Sequence, residues 1–190
     1  AGSTADDMLF GGRGDDTLVG GSACDKLEGS QGRDLLHGGS EQDDLWGGKG
    51  ADRIHAGSHA DTVMAGRGDD LVHGDSGDDV IMGNRGADTV FGGDDADEIR
   101  GGRGDEIDGG AGGRDHDTLD LTGFGRVTVE YSSDDREDGV VTFQDGSRLT
   151  FAEIETIVTD DNPEDLPEGG GGHPGADPAP PADHPGGGAG

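Results

Sequence analysis

A nine-residue period runs through the first hundred residues and constrains this 190-residue chain more than any other feature. Counted from Gly2, eleven ungapped units end at Arg100. Position six is Asp in every unit: Asp7, Asp16, Asp25, Asp34, Asp43, Asp52, Asp61, Asp70, Asp79, Asp88 and Asp97. Position eight is always aliphatic, from Leu9 and Leu18 to Val90 and Ile99, and position one is Gly in nine units and Ala in two. One inward aliphatic per unit, set off by Gly and Asp, reads as a three-residue strand after a six-residue turn. A strand that short cannot stand alone, so the units must stack. Two units make an 18-residue coil of strand, turn, strand, turn, and successive coils pair in parallel about 4.8 Å apart.

What holds such a stack together is a question of composition. The 43 Asp and Glu against 13 Lys and Arg leave a formal charge of -30, and 42 residues are Gly, a balance that in a non-repetitive chain signals disorder. Burying roughly one Leu-sized side chain per unit at about 2 kcal/mol does not offset about 1 to 2 kcal/mol of backbone entropy per residue. A single cysteine, Cys24, rules out an internal disulfide framework. The acidity and the lack of a basic cluster argue against nucleic acid as a partner. No apolar run approaches the roughly 18 residues of a membrane-spanning helix, and the opening AGSTADDMLF has no signal-peptide pattern. The expectation is a soluble chain, excised from a longer one because it lacks an initiator Met.

The missing attraction lies in the turns. Coils about 4.8 Å apart place the position-six carboxylates of alternate units one above another, which is strongly unfavourable unless a cation lies between them. A flexible cage of oxygens suits Ca2+, which takes six to eight of them, backbone carbonyls included. Mg2+ holds its waters more firmly, and Zn2+ prefers His or Cys.

At this point the units GGRGDDTLV (11–19), GGKGADRIH (47–55) and AGRGDDLVH (65–73) resemble the calcium-binding nonapeptide GGxGxDxUx of the RTX, or haemolysin-type, family. The likeness extends over residues 2 to about 120. It implies an all-β fold: a right-handed parallel β-roll solenoid with 18-residue coils. It also implies that each ion takes the position-two and position-four carbonyls and the Asp of one turn, with the position-one and position-three carbonyls and the Asp of the turn 18 residues on. One ion would then sit among Gly12, Gly14, Asp16, Gly29, Gln31 and Asp34, and the next among Ser30, Gly32, Asp34, Gly47, Lys49 and Asp52. The same offsets continue through Gly48, Gly50, Asp52, Ala65, Arg67 and Asp70, then Gly66, Gly68, Asp70, Gly83, Arg85 and Asp88. About ten ions would fit in all, bringing the charge from -30 to about -10.

The two edges of the roll are expected to differ, because position four is Gly14, Gly32, Gly50, Gly68 and Gly86 on one and Ala5, Ala23, Glu41, His59, Gly77 and Asp95 on the other. A Cβ there is expected to strain the second edge, whose alternative is a plain solvated turn. Outward position nine carries Val19, His37, His55, His73 and Phe91 on one sheet, a set that reads as ordinary β surface or as a transition-metal or pH-sensing ladder. On the other sheet it carries Phe10, Glu28, Trp46, Met64 and Met82, a candidate docking stripe. Arg13, Lys49, Arg67, Arg85 and Arg103 stand at position three, with Gln31 interrupting; they either temper the acidic turns or meet an anionic polysaccharide. No HExxH, GxSxG or P-loop pattern is present, and the reading is non-enzymatic.

After Arg100 the period falters. GGRGDEID puts Asp105 in the metal phase one residue early, and extra residues in GGAGGRDHDTLDL put Asp117 in it late, with Leu119 and Leu121 inward. VTVEY, VVTF, RLTF and IETIV then read as a small antiparallel β cap over the open end of the roll. The expected division is a roll over 1–120, a cap over 121–159 and a disordered Pro- and Gly-rich acidic tail over 160–190. The resemblance implies a secreted, extracellular bacterial protein exported by a type I route. A module of a larger secreted enzyme or toxin, an adhesin or surface-layer segment, a glycan ligand and self-association stand as alternatives.

Overall fold

The structure is a computed structural model that describes residues 2–111, 116–132 and 137–160. Of the expected tail over 160–190 only Asp160 is described, where it accepts the N–H of Gly123 and Gly125; residues 161–190 and the centre of the irregular unit, residues 112–115, lie outside the described residues. Among the described residues every regular element is a strand, and none is a helix long and apolar enough to cross a membrane. Ten six-residue strands come first: β1 (Met8–Arg13), β2 (Thr17–Ser22), β3 (Lys26–Gln31), β4 (Leu35–Ser40), β5 (Asp44–Lys49), β6 (Arg53–Ser58), β7 (Thr62–Arg67), β8 (Leu71–Ser76), β9 (Val80–Arg85) and β10 (Thr89–Asp94). Shorter ones follow: β11 (Glu98–Arg100), β12 (Glu106–Asp108), β13 (Thr118–Asp120), β14 (Val127–Tyr131), β15 (Gly139–Phe143), β16 (Arg148–Ala152) and β17 (Thr156–Val158).

Odd-numbered strands other than β15 stack into one sheet in the order β1-β3-β5-β7-β9-β11-β13-β17, and the even-numbered ones together with β15 form the other. Pairing is parallel and offset by 18 residues, as in Leu27↔Leu45 and Leu36↔Ile54, so the fold is a parallel β-solenoid of 18-residue coils. Position eight fills the space between the sheets: Leu27, Leu36, Leu45, Ile54, Val63, Val72, Ile81 and Ile99 are wholly inaccessible to solvent.

The strands are twice the expected length and the turns only three residues. In β3 the burial alternates through positions seven, eight, nine and one, and pairing skips Gly29 but resumes at Ser30↔Gly48 and Gln31↔Lys49. Position one is therefore a bend within a strand. Its residue points inward, which explains why only Gly and Ala occur there.

The cap is mixed where antiparallel pairing was expected throughout. The strands β14, β15 and β16 are antiparallel to one another, but β16 pairs in parallel with β12 and β17 with β13. Residues 148–158 thus form one more coil whose two strands saturate both open edges, and the hairpin extends only the even sheet. Val141, Phe143, Leu149, Phe151 and Ile154 carry the apolar core into it.

Candidate metal centres

Stacking in register brings the position-six aspartates into two columns, one along each edge. On the glycine-bearing edge run Asp16, Asp34, Asp52, Asp70, Asp88 and Asp105, and on the opposite edge Asp7, Asp25, Asp43, Asp61, Asp79, Asp97 and Asp117. Within each column every aspartate but the last donates its backbone N–H to Oδ1 of the aspartate in the next coil. Asp34 to Asp52 is 2.8 Å and Asp61 to Asp79 is 2.7 Å. Asp105 and Asp117 join at offsets of 17 and 20 residues, so the two irregular units keep the metal phase expected of them.

The second oxygen is the informative one. Oδ2 of Asp16, Asp25, Asp34, Asp43, Asp52, Asp61, Asp70, Asp79 and Asp88 is buried and has no hydrogen-bond partner. Buried polar atoms are ordinarily satisfied, and an orphaned carboxylate oxygen is more costly than a neutral one. Those of Asp16, Asp25, Asp34, Asp43, Asp52 and Asp79 also lie beside a carbonyl. The point where a Cβ on Gly29 would sit lies 2.5 Å from Asp34 Oδ2 and 2.7 Å from the Gly47 oxygen; on Gly47 it lies 2.7 Å from Asp52 Oδ2 and 2.5 Å from the Ala65 oxygen. On Gly11 it lies 2.9 Å from both Asp16 Oδ2 and the Gly29 oxygen. At these three glycines the absence of a Cβ therefore lets a carboxylate oxygen and the carbonyl of the next coil approach the same point, whereas Ala56 and Ala65 keep a Cβ at position one.

The other expected carbonyls fall into two groups. Those of Gly14, Gly32, Gly50 and Gly68 at position four, and of Ser30 and Gly48 at position two, point along the axis at the next coil. Those of Gln31, Lys49, Arg67 and Arg85 at position three accept the N–H of Gly14, Gly32, Gly50 and Gly68 at 2.7 to 2.9 Å, which leaves each a second lone pair. Gly12, Gly66 and Gly83 occupy the corresponding places in their coils, and Asp88 Oδ2 faces Gly83. The donors are hard oxygens throughout. Among the described residues no three His, Cys, Asp or Glu side chains converge on one point, which leaves backbone carbonyls as the larger share of any cage. A calcium ion fits that donor set; zinc does not.

Burial is the largest influence on these carboxyls, and it raises them well above the usual range: Asp43 to about 6, Asp61, Asp70 and Asp88 to about 7 and Asp79 to about 8. The backbone N–H on Oδ1 pulls each back, and the aspartates above and below push it further up. Asp52 and Asp105 are raised from the same first cause. A column of this kind is built for positive charge between its rungs.

The two edges differ in backbone, as the 18-residue repeat implies. Gly50 has φ +131° and a Cβ there would overlap the Gly32 carbonyl, whereas His59, the equivalent on the other edge, sits at +81°, within the left-handed region that a residue with a Cβ can adopt. The expected strain on the second edge is thus met by a smaller φ, and its aspartates form the same column.

Both columns close on the last coil. On the glycine-bearing edge Leu149 takes the place of a further Asp, and Oδ2 of Asp105 accepts the Gly102 N–H at 2.6 Å. On the other edge Asp117 donates its N–H to Glu155 Oε2 at 2.6 Å, and the Glu153 carbonyl and Asp117 Oδ2 crowd the same point at Gly109 that a position-one carbonyl and an Asp crowd elsewhere. Glu155 and Glu153 were missed. The signal was present: Glu155-Thr156-Ile157-Val158 copies Asp16-Thr17-Leu18-Val19 with one methylene added to the acid.

The remaining singled-out residues lie apart from these columns. His37, His55 and His73 stack face to face with Phe91 at centroid distances of 4.7 to 5.1 Å, and Cys24 is exposed. Burial lowers the His73 imidazole, aided by His55 and opposed by Asp75. Rings stacked in parallel point no shared lone pair at a common ion.

No curated protein matches the chain. The family profile of the RTX calcium-binding nonapeptide repeat matches four times, over residues 1–36, 25–54, 37–72 and 73–105, which together span more than half of the sequence. With the two aspartate columns on a parallel β-roll, this places the chain in the RTX calcium-binding nonapeptide repeat family.

Proposed function

We propose that this chain is an extracellular calcium-binding module in which binding the ion and folding are a single event. The buried, unpartnered Oδ2 column carries the reading, since the folded roll assembles carboxylates whose like charges a cation between the rungs would offset. Bound calcium supplies positive charge between rungs and replaces the water those oxygens lose. The glycine-bearing edge would use the carbonyls of Gly12, Gly14, Gly29 and Gln31 with Asp16 and Asp34, then Ser30, Gly32, Gly47 and Lys49 with Asp34 and Asp52. Gly48, Gly50, Ala65, Arg67, Gly66, Gly68, Gly83 and Arg85 continue the series through Asp70 and Asp88. The opposite edge uses Asp7, Asp25, Asp43, Asp61, Asp79, Asp97 and Asp117, and about ten ions fill both. Calcium is scarce in cytosol and millimolar outside cells, so such a chain stays unfolded until secreted. Circular dichroism in EGTA and in millimolar CaCl2 tests the coupling. A β spectrum that appears only with calcium supports it, and the same β spectrum in both overturns it.

A further inference from the structure

The outer face of the odd-numbered sheet is unlike the rest of this acidic surface. Position three of its strands carries Arg13, Gln31, Lys49, Arg67 and Arg85, all exposed and in register, with Lys49↔Arg67 and Arg67↔Arg85 paired directly across the ladder. Successive cations thus stand about 4.8 Å apart in a straight row. None of Arg13, Lys49, Arg67 and Arg85 forms an ion pair, although the chain has 43 acidic residues; the lysine one column over, Lys26, is held by Asp44. Cations left unpaired on a chain of charge -30 are not explained by local neutralisation.

Parallel to this row runs the position-nine stripe of Trp46, Met64 and Met82, half-buried and also in register. Between row and stripe lies position two, where Gly48 and Gly66 have no side chain. The result is a trough along the solenoid axis with one apolar wall, one cationic wall and a floor of Gly48 and Gly66, followed in the third coil by Asn84, whose amide donates to the Met82 carbonyl. Towards the amino terminus it widens into a groove of about 820 Å³ lined by Met8, Phe10, Trp46, Lys49 and Arg67 among others. The even-numbered sheet has the same trough, but its row is Ser22, Ser40, Ser58 and Ser76 and its stripe the histidines. The same scaffold therefore provides an internal comparison.

We propose that this trough binds a linear acidic polysaccharide bearing one carboxylate per sugar, with its carboxylates on Lys49, Arg67 and Arg85 and its pyranose faces against Trp46, Met64 and Met82. A guanidinium presents a fork that matches a carboxylate, and an aromatic or thioether wall suits the C–H faces of a sugar ring. The straight row suits a stretched polymer. Duplex DNA does not follow it, because its phosphates advance about 3.4 Å per strand step and wind around an axis. Glu28 breaks the stripe one coil earlier, which confines the best footprint to the three coils from Trp46 to Arg85. The inference rests on the folded roll and not on how many ions hold it.

Trp46 is the only tryptophan in the chain, so its emission reports on the trough directly. The test titrates the chain, shown by circular dichroism to be folded at constant millimolar calcium, with a (1→4)-linked hexagalacturonate. A saturable change in Trp46 emission is expected, with at least a tenfold weaker affinity in K49Q/R67Q/R85Q and no weakening in S40Q/S58Q/S76Q on the other sheet. R67Q alone gives an intermediate loss and keeps the test open should the triple variant not fold. No emission change, equal losses on both sheets, equal affinity for neutral maltohexaose, or tighter binding to a sulfated hexasaccharide, single-stranded DNA or phosphatidylserine vesicles would each overturn the assignment. Because the fold is verified first, failure here is distinct from failure of calcium-coupled folding.

Discussion

Replacing Gly50 with Ala tests the link between turn geometry and calcium. The backbone at Gly50 has φ +131°, and an added Cβ would overlap the Gly32 carbonyl oxygen and stand 2.6 Å from its carbon. Holding Ala at that φ costs about 1 to 3 kcal/mol. Relieving the overlap also parts the coils, so the Gly32 N–H to Lys49 and Gly50 N–H to Arg67 bonds are lost as well. Each is worth about 1 kcal/mol, so the total is about 3 to 5 kcal/mol. When folding is linked to n ions, a destabilisation ΔΔG raises the calcium midpoint by exp(ΔΔG/nRT): about twofold for ten ions at 4 kcal/mol, and about thirtyfold for two. Circular dichroism against free calcium reads that midpoint, and its shift reports how many ions fold with the chain. His59→Ala is the control: φ is +81° there and a Cβ is already present, so the change costs less than about 1 kcal/mol. Equal midpoints for both variants and the parent would refute the argument that the glycine edge is set by contact between successive coils.

Without calcium, acid is expected to favour the roll. Asp43, Asp61, Asp70, Asp79 and Asp88 titrate near 6 to 8 when folded and near 4 when unfolded, so their stabilising effect is complete below pH about 4 and is lost as pH rises through 6 to 8. Far-ultraviolet circular dichroism in EGTA should show more β structure at pH 5 than at pH 8; the reverse order would contradict the burial of these acids. Asp61→Asn keeps an oxygen for the Asp43 N–H but loses the anion, and calorimetry should count about one or two ions fewer than in the parent. Glu155→Ala should destabilise the calcium-loaded roll by about 1 kcal/mol by removing the acceptor of the Asp117 N–H. Glu155→Gln restores stability if the hydrogen bond alone matters, and chemical denaturation at fixed calcium separates the two.

The columns and the core were legible because both depend on residue type at a fixed phase. Asp at position six and an aliphatic at position eight appear in the sequence itself, so the coil, the inward Leu45 and Ile54 and the phase of Asp105 and Asp117 could all be read from it. Strand length could not, because positions two and three pair through backbone groups that any residue supplies. The end of the roll was harder still. Its last coil follows a hairpin and breaks the period, so Glu155 and Leu149 occupy the aspartate phase without a repeat to announce them. The contrast between Gly50 and His59 was visible as composition, but the way a Cβ is accommodated is a matter of φ.

The amide bonds along each aspartate column all run one way. Asp7 gives to Asp25, Asp25 to Asp43, and so on to Asp117 and Glu155; none gives backwards. The roll is therefore vectorial, and its two ends are not interchangeable. Trimming whole coils from the front frees an aspartate Oδ1, whereas trimming from the back frees an aspartate N–H, although ladder bonds such as that from the Lys26 N–H to the Asp7 carbonyl run the other way. A coil added upstream therefore brings the donor for the next Oδ1, and a coil added downstream brings the acceptor for the last aspartate N–H, the place that Glu155 takes here.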